Sequence, residues 1–141
     1  MKANKIVILL LFFVQISFSQ TIIGKWKTID DETGKEKAII EIFEKNGKYY
    51  GKIIEILEQE HRFRKCELCQ GEDKNKPILG LVIIKSIQKN GAIFDGGKIT
   101  DPKNGKTYNC KISFDGNNKL IVRGYIGISL FGRSQTWVRD K

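Results

Sequence analysis

Tyr108-Asn109-Cys110-Lys111-Ile112-Ser113-Phe114 runs into Asp115-Gly116-Asn117-Asn118 and leaves through Lys119-Leu120-Ile121-Val122-Arg123-Gly124-Tyr125-Ile126. In the first run Tyr108, Cys110, Ile112 and Phe114 share one face, with Thr107, Asn109, Lys111 and Ser113 opposite. That period of two is the mark of a half-buried strand. In the second run Leu120, Val122, Gly124 and Ile126 alternate against Lys119, Ile121, Arg123 and Tyr125. Asp-Gly between two such runs is a hairpin signal, because tight connections need positive φ and Gly reaches it without a steric penalty.

Outward from this hairpin the same punctuation recurs. Asn-Gly pairs stand at 46, 90 and 104, each between β-rich runs, and Asp101-Pro102 opens a further turn in which Pro presets φ. The expected strands are Gly24–Ile29, Lys37–Lys45, Lys48–Leu57, Leu79–Gln88, Ala92–Thr100, Lys106–Phe114, Lys119–Ile126 and about Phe131–Arg139. After residue 20 no stretch keeps a helical apolar period over three turns, and parallel βαβ units would need helical crossovers. The reading is all-β: an eight-stranded up-and-down antiparallel β-barrel, whose closure removes unpaired edges. A barrel of that size encloses at most one small ligand.

Gly24-Lys25-Trp26 fits the base of such a barrel. The indole supplies a large apolar area to plug one end, and Gly24 lets the chain bend there. Trp137 and Arg139 at the far end of the chain are its expected structural neighbours, so Gly24, Trp26, Trp137 and Arg139 are read as structural residues. Leu81-Val82-Ile83-Ile84 is apolar on both faces, which calls for cover by a loop, a terminal segment or a second molecule.

The start of the chain reads as an export leader. A basic opening with Lys2 and Lys5 precedes an unbroken apolar run from Ile6 to Val14, and Ser17-Phe18-Ser19 places cleavage before Gln20. The run falls short of the roughly 20 residues of a helical membrane span. Residues 1–19 are therefore expected to be a signal peptide and 20–141 a single domain that is periplasmic or secreted. Loss of Lys2 and Lys5 lowers the formal charge from +9 to +7. The cations are 20 Lys and 5 Arg interleaved with 16 acids, unlike the clustered Arg of a phosphate-reading surface, so nucleic acid is not an expected partner. Weak association with an anionic envelope surface remains compatible with this charge.

Two segments break the meander. Glu58–Pro77 is a 20-residue connection with five acids and five bases, long enough for a lid, a binding loop or disorder. Gly124–Gly132 carries no charge, three glycines and two aromatics. It reads either as two strands meeting through a short buried connection or as an apolar rim at a pocket mouth.

Cys66 and Cys69 lie in the long loop and Cys110 on the apolar face of its strand. A Cys66–Cys69 disulfide with Cys110 as a buried thiol is the simplest assignment, with Cys110 bridging to one loop cysteine as an alternative. Zinc held by His61, Cys66 and Cys69 with nearby carboxylates is a second alternative, though structural zinc usually shows another ligand pair and an oxidising compartment favours the disulfide. No metal and no cofactor is assigned. Catalysis finds no support either. His61 is the only histidine, with no serine nucleophile placed beside it, and Asp101 is explained by its turn. The chain is read as a non-enzyme.

Several motifs together resemble a known family. They are Gly24-x-Trp26, Tyr50-Gly51-Lys52-Ile53, Cys66-x-x-Cys69 before Lys76-Pro77-Ile78-Leu79-Gly80, and Gly96-Gly97-Lys98-Ile99. Asp101-Pro102-x-x-Gly105-Lys106-x-Tyr108 and Arg123-Gly124-Tyr125-Ile126-Gly127 through Gly132-Arg133-x-Gln135-Thr136-Trp137 complete the set. The chain resembles the bacterial domain-of-unknown-function family 2147, small exported proteins similar across nearly the whole mature chain. The Gly-x-Trp and the terminal Arg also look like the lipocalin arrangement, so the resemblance implies a lipocalin-like (calycin-like) barrel. It further suggests a small hydrophobic or amphipathic ligand as partner. Candidate ligand contacts are Tyr50, Ile112, Phe114, Val122, Tyr125 and Phe131, with Arg123 or Arg133 for a carboxylate or phosphate head. The rival reading is a structural or interaction module with a filled barrel, docking through Leu81–Ile84 or Gly124–Gly132. Either a monomer or a dimer suits the sequence.

Overall fold

The structure, a computed structural model, describes residues 3, 9–14 and 20–141. The basic start of the expected leader and the serines at its cleavage point lie outside the described residues. Eight strands follow in order: β1 (Gly24–Ile29), β2 (Glu36–Lys45), β3 (Lys48–Ile56), β4 (Val82–Asn90), β5 (Ile93–Thr100), β6 (Thr107–Phe114), β7 (Lys119–Tyr125) and β8 (Gly132–Arg139). Each pairs antiparallel with its chain neighbours, and β8 closes the ring on β1 with Trp26 opposite Arg139 and Thr28 opposite Trp137. The expected closed eight-stranded meander is the observed fold. Among the described residues the hydrogen-bonded ring and the buried core lie between Ile22 and Arg139.

Up-and-down closure sorts the connections by parity. The links β1–β2, β3–β4, β5–β6 and β7–β8 gather at one end, and β2–β3, β4–β5 and β6–β7 at the other with the incoming chain. The second end is made of tight turns. At β2–β3 both central residues, Asn46 (φ 53°) and Gly47 (φ 77°), take the positive φ of a two-residue hairpin. Gln20 reaches across to the β6–β7 turn and donates to the Gly116 carbonyl at 3.4 Å.

This tight end is filled. Trp26 is fully buried and its Nε1 donates to the Ile22 carbonyl at 2.9 Å. The Arg139 guanidinium carbon lies 4.2 Å from the Trp26 ring centroid, within cation–π range, and Arg139 also donates to the Thr21 carbonyl. A Cβ on Gly24 would sit 3.2 Å from that guanidinium, so a bare backbone is what fits beside it. Ile42, Ile87, Phe94, Ile112 and Leu120 complete the packing above the plug. Tyr49 meets Phe94 edge-on at 5.3 Å, and Phe114 meets Phe94 at 6.3 Å.

Bulges decide which side chains enter. In β4, Ser86 has φ 60°, and the extra residue lets Ile84 and Ile87 both face the core three positions apart. Leu81, Ile83 and Ile84 are buried by the protein's own packing and Val82 is half-buried, so the chain itself covers most of the doubly apolar run. Across from the bulge, Gly97 is a required glycine: a Cβ there would lie 2.4 Å from the Lys85 carbonyl oxygen.

Candidate functional site

The end opposite Trp26 is open. A cavity of about 1070 Å³ enters the barrel between the four odd-numbered connections. Its wall is apolar below the rim, with Ile40, Ile53, Ile56, Ile83, Ile99 and Val122 contributed by five strands. Trp137, buried and level with Thr28, lies at the floor, where its Nε1 points to Gln135 Oε1 at 3.4 Å. Thr28, Thr100, Tyr108 and Gln135 are polar side chains that break the apolar wall.

Two look-alike turns build one side of the mouth. In Asp30–Lys35 and in Asp101–Lys106, a Gly four residues after the Asp donates its N–H to the Asp carbonyl at 2.8 Å, and the Asp N–H meets the closing Lys carbonyl at 2.9 Å. Each Asp side chain caps its own turn, Asp30 on Glu32 and Thr33, Asp101 on Lys103. Asp101 is thereby occupied structurally, and Asp95, the other acid of that strand, lies at the closed end beside Asn90.

The long connection after β3 is ordered. Cys66 and Cys69 form a disulfide and are both buried, while Cys110 is a free thiol inside the barrel. The Lys65–Pro77 bridge, Cys66 N–H to Lys76 O (2.8 Å) and Ile78 N–H to Arg64 O (2.9 Å) close the loop on itself. Asp73 anchors it to β4 through Lys85 at 2.7 Å, and that ammonium holds the Asp73 carboxyl below its ordinary range. Gly105 fastens it to the β5–β6 turn. A Cβ there would fall 1.9 Å from the Leu68 carbonyl oxygen, and φ is +72° besides.

Ion pairs occupy much of the rim. Lys37 bridges Asp30 (3.1 Å) and Glu58 (3.5 Å), and Glu58 meets His61 Nε2 at 3.0 Å. The Thr33 N–H, then Lys37, hold the Asp30 carboxyl well below the usual carboxylate range, and Asp30 in turn raises Lys37. Arg133 clasps Asp31 with two nitrogens, one at 2.7 Å, lowering the carboxyl and raising the guanidinium. Glu58, Glu60 and His61 are the only such ligand group among the described residues close enough to share a cation, their ligand atoms lying within 4.8 Å of one another. Glu60 is largely exposed and Glu58 is already paired with Lys37, so ion pairing accounts for the cluster. The cysteines that zinc would need are bonded to each other.

Of the residues singled out from the sequence, Val122, Tyr125, Phe131 and Arg133 line the cavity. Ile112 and Phe114 face inward but at the filled end. Tyr50 lies on the outer face, stacked on Phe43 at 5.8 Å, while its neighbour Tyr49 points in. Arg123 also lies outside: it donates to the carbonyls of Ser129 (2.8 Å) and Leu130 (3.3 Å) and to Ser134 Oγ, bracing the β7–β8 connection. That connection is not buried. Ile126, Ile128, Leu130 and Phe131 are each at least 60 % exposed. Ile40, Ile53, Ile56, Ile78, Ile99, Tyr108 and Gln135 are wall residues that sequence reasoning missed.

The fold has a solved counterpart. The structure described as "Protein HP1028 from the human pathogen Helicobacter pylori belongs to the lipocalin family" superposes with a TM-score of 0.76, covering 87% of this chain and 85% of that one at 24% identity. Among curated proteins none matches the chain. A barrel plugged by Gly24-x-Trp26, a loop stapled at Cys66–Cys69 and a last strand ending at Arg139 are all contained in residues 24–139, the span over which the chain matches and belongs to the bacterial family "Uncharacterized protein conserved in bacteria (DUF2147)".

Proposed function

We propose that this protein is a non-enzymatic binder of one small amphipathic molecule, taken tail-first into the open half of the barrel. The observation that carries this reading is the division of the interior. The Trp26 half is occupied by buried side chains, while the other half holds a cavity of about 1070 Å³ with apolar walls and a polar rim. Ligand sites typically span roughly 300–1,000 Å³ with apolar lining and a few placed polar groups. Ile40, Ile53, Ile83 and Val122 would meet the tail. At the rim Arg64, Lys65 and Lys103 line the opening with no acid partner among the described residues, which favours an anionic head. Arg133 and Arg123 are already committed to Asp31 and to the β7–β8 backbone. The lipocalin-family neighbour supports a binding role by analogy of fold only.

Export belongs to the same proposal. The Cys66–Cys69 disulfide suits an oxidising compartment, and the leader read from the sequence would deliver the chain there. Cell fractionation with N-terminal mass analysis tests it; an intact leader on cytosolic protein would reject it.

The barrel's two tryptophans supply the binding test. Trp137 lines the cavity and Trp26 does not. Titration with 1-anilinonaphthalene-8-sulfonate should therefore quench tryptophan emission in both single-tryptophan proteins by energy transfer, more strongly through Trp137 in Trp26→Phe, and the change should be reversed by a long-chain fatty acid. Native mass spectrometry after mild extraction is the companion measurement. No quenching, together with no bound mass in the lipid range in any preparation, would sink the reading.

A further inference from the structure

Most of the exposed large apolar side chains of the barrel are gathered at one pole. Phe63 (89 % exposed), Leu68, Ile126, Ile128, Leu130 and Phe131 all lie on the β3–β4 and β7–β8 connections at the mouth. The opposite pole is turned by Asn46-Gly47, Gly91 and Asp115–Asn118, and among the described barrel residues Ile23, 41 % exposed on the incoming chain, is the large apolar side chain showing there. These side chains do not form a groove. They stand on protruding connections that face each other across the cavity opening, since Phe63, Leu68, Ile126 and Phe131 all line it. A soluble monomer does not normally display so much clustered apolar surface without something to cover it.

The charges beside them are one-sided in a specific sense. Arg62 and Arg64 flank Phe63, Lys65 follows, and Lys103 stands across the β5–β6 turn; none of the four has an ion-pair partner among the described residues. The rim acids Asp30, Asp31 and Glu58 are spent on Lys37, Arg133 and His61. Glu60, Glu67 and Glu72 are the acids left on the same loop, Asp73 being paired with Lys85, and Glu60 partly faces His61. Apolar side chains at the tips with unpaired cations behind them are complementary to an anionic bilayer, whose headgroups meet the cations while its acyl boundary receives the tips. No helix among the described residues is long and apolar enough to cross a membrane, so the contact would be at the surface.

We propose that the open end of the barrel docks on anionic lipid bilayers, inserting Phe63 and the Ile126–Phe131 tip and holding headgroups with Arg62, Arg64, Lys65 and Lys103. The mouth then opens onto the membrane itself. Docking stands apart from the cavity's ligand, because its readout needs no ligand.

The test is co-sedimentation of the chain from residue 20 with phosphatidylcholine vesicles, with and without about one third phosphatidylglycerol, at low and high salt. Anionic vesicles should bind at least about tenfold more tightly, and salt should erase most of that preference. Phe63→Ser with Phe131→Ser should lower binding about tenfold or more, and Arg62→Gln with Arg64→Gln and Lys65→Gln should remove the anionic preference. These positions are exposed, and circular dichroism checks that the barrel persists. Lys45→Gln with Lys48→Gln, at the closed end, should change nothing. Equal loss from the closed-end pair would reduce the effect to net basicity and overturn the proposal. So would vesicle binding indifferent to the Phe63 and Phe131 changes. A concentration-dependent dimer that those changes abolish, without vesicle binding, would assign the face to a second copy and overturn it too.

Discussion

Truncating Trp26 to alanine tests the division of the barrel into a structural half and an open half. The ring is fully buried, and an indole in that state hides roughly 200 Å². At about 25 cal/mol per Å² the transfer term approaches 5 kcal/mol as an upper bound. Removal also strands the Ile22 carbonyl, which loses its 2.9 Å donor, and takes the ring face from the Arg139 guanidinium at 4.2 Å. Those two losses are about 1 kcal/mol each and overlap the burial term. Partial collapse of Ile22 and Ile42 into the void works the other way. The net expectation is about 3–5 kcal/mol, in the range of buried Trp→Ala changes. Urea unfolding at pH 7 measures it, followed by circular dichroism and by the emission of the remaining Trp137. Trp26→Phe keeps most of the apolar area but drops the hydrogen bond, so about 1–2 kcal/mol is expected. A Trp26→Ala loss below about 1 kcal/mol would refute the plug. It would mean that the base is closed by the turns and not by the ring.

Three further outcomes are expected from the geometry. Gly105→Ala should cost about 1–3 kcal/mol, because its Cβ meets the Leu68 carbonyl and its φ is left-handed, and trypsin should then clip at Arg62 or Arg64 several-fold faster; unchanged cleavage would mean the loop is not fastened there. Burial pushes the Cys110 thiol up to about 12, so at pH 8 Ellman's reagent should find no thiol in the folded protein and one after unfolding, and rapid native reaction would contradict the burial. Its raised value stabilises the fold fully below the unfolded thiol pKa of about 8.5, with the contribution fading as pH rises toward 12. Asp30, Asp31 and Asp73 are depressed in the fold, so their contribution is present above the unfolded carboxylate pKa of about 3.9 and disappears as pH falls through the folded values. The urea midpoint should be level from about pH 7 to 5 and drop below about pH 4, less steeply in Asp73→Asn; an identical slope would remove Asp73 from the account.

The fold was legible because its determinants are local. Asn46-Gly47 and Asp115-Gly116 declare their turns through backbone chemistry alone, and β6 alternates without interruption, so Tyr108, Cys110 and Ile112 face inward as their spacing demands. Bulges are not local in that sense. Nothing in Lys85-Ser86-Ile87 announces that Ser86 takes a left-handed φ and reverses the parity of the residues after it; that depends on how β4 meets β3 and β5. Tyr49 and Tyr50 show the same limit. Adjacent on one strand they must face opposite ways, and it is the β2–β3 register, with Tyr50 opposite Phe43, that sends Tyr49 into the core and Tyr50 onto Phe43.

The site was less legible because alternation gives a side chain's face and says nothing of its height. Ile112 and Phe114 face inward beside Val122, yet they belong to the packed half, with only Val122 of the three on the cavity wall. The height was recoverable by counting. In an up-and-down barrel every odd connection lies at one end, and the two irregular segments, after β3 and after β7, are both odd. The incoming chain with Trp26 must then close the even end, where the short turns are. Inward residues near odd connections, such as Thr28, Ile56, Ile99, Tyr108 and Gln135, become the wall, and those near even turns become the plug. The asymmetry comes from chain economy. Tight two- to four-residue turns draw strand ends together and leave no material to line an opening, whereas a 25-residue stapled connection and an exposed apolar tip hold one end apart. Burial is therefore concentrated at the even end and the cavity at the odd end, so on the proposed binding role substitutions at Trp26 should change unfolding and leave affinity for a cavity ligand nearly intact.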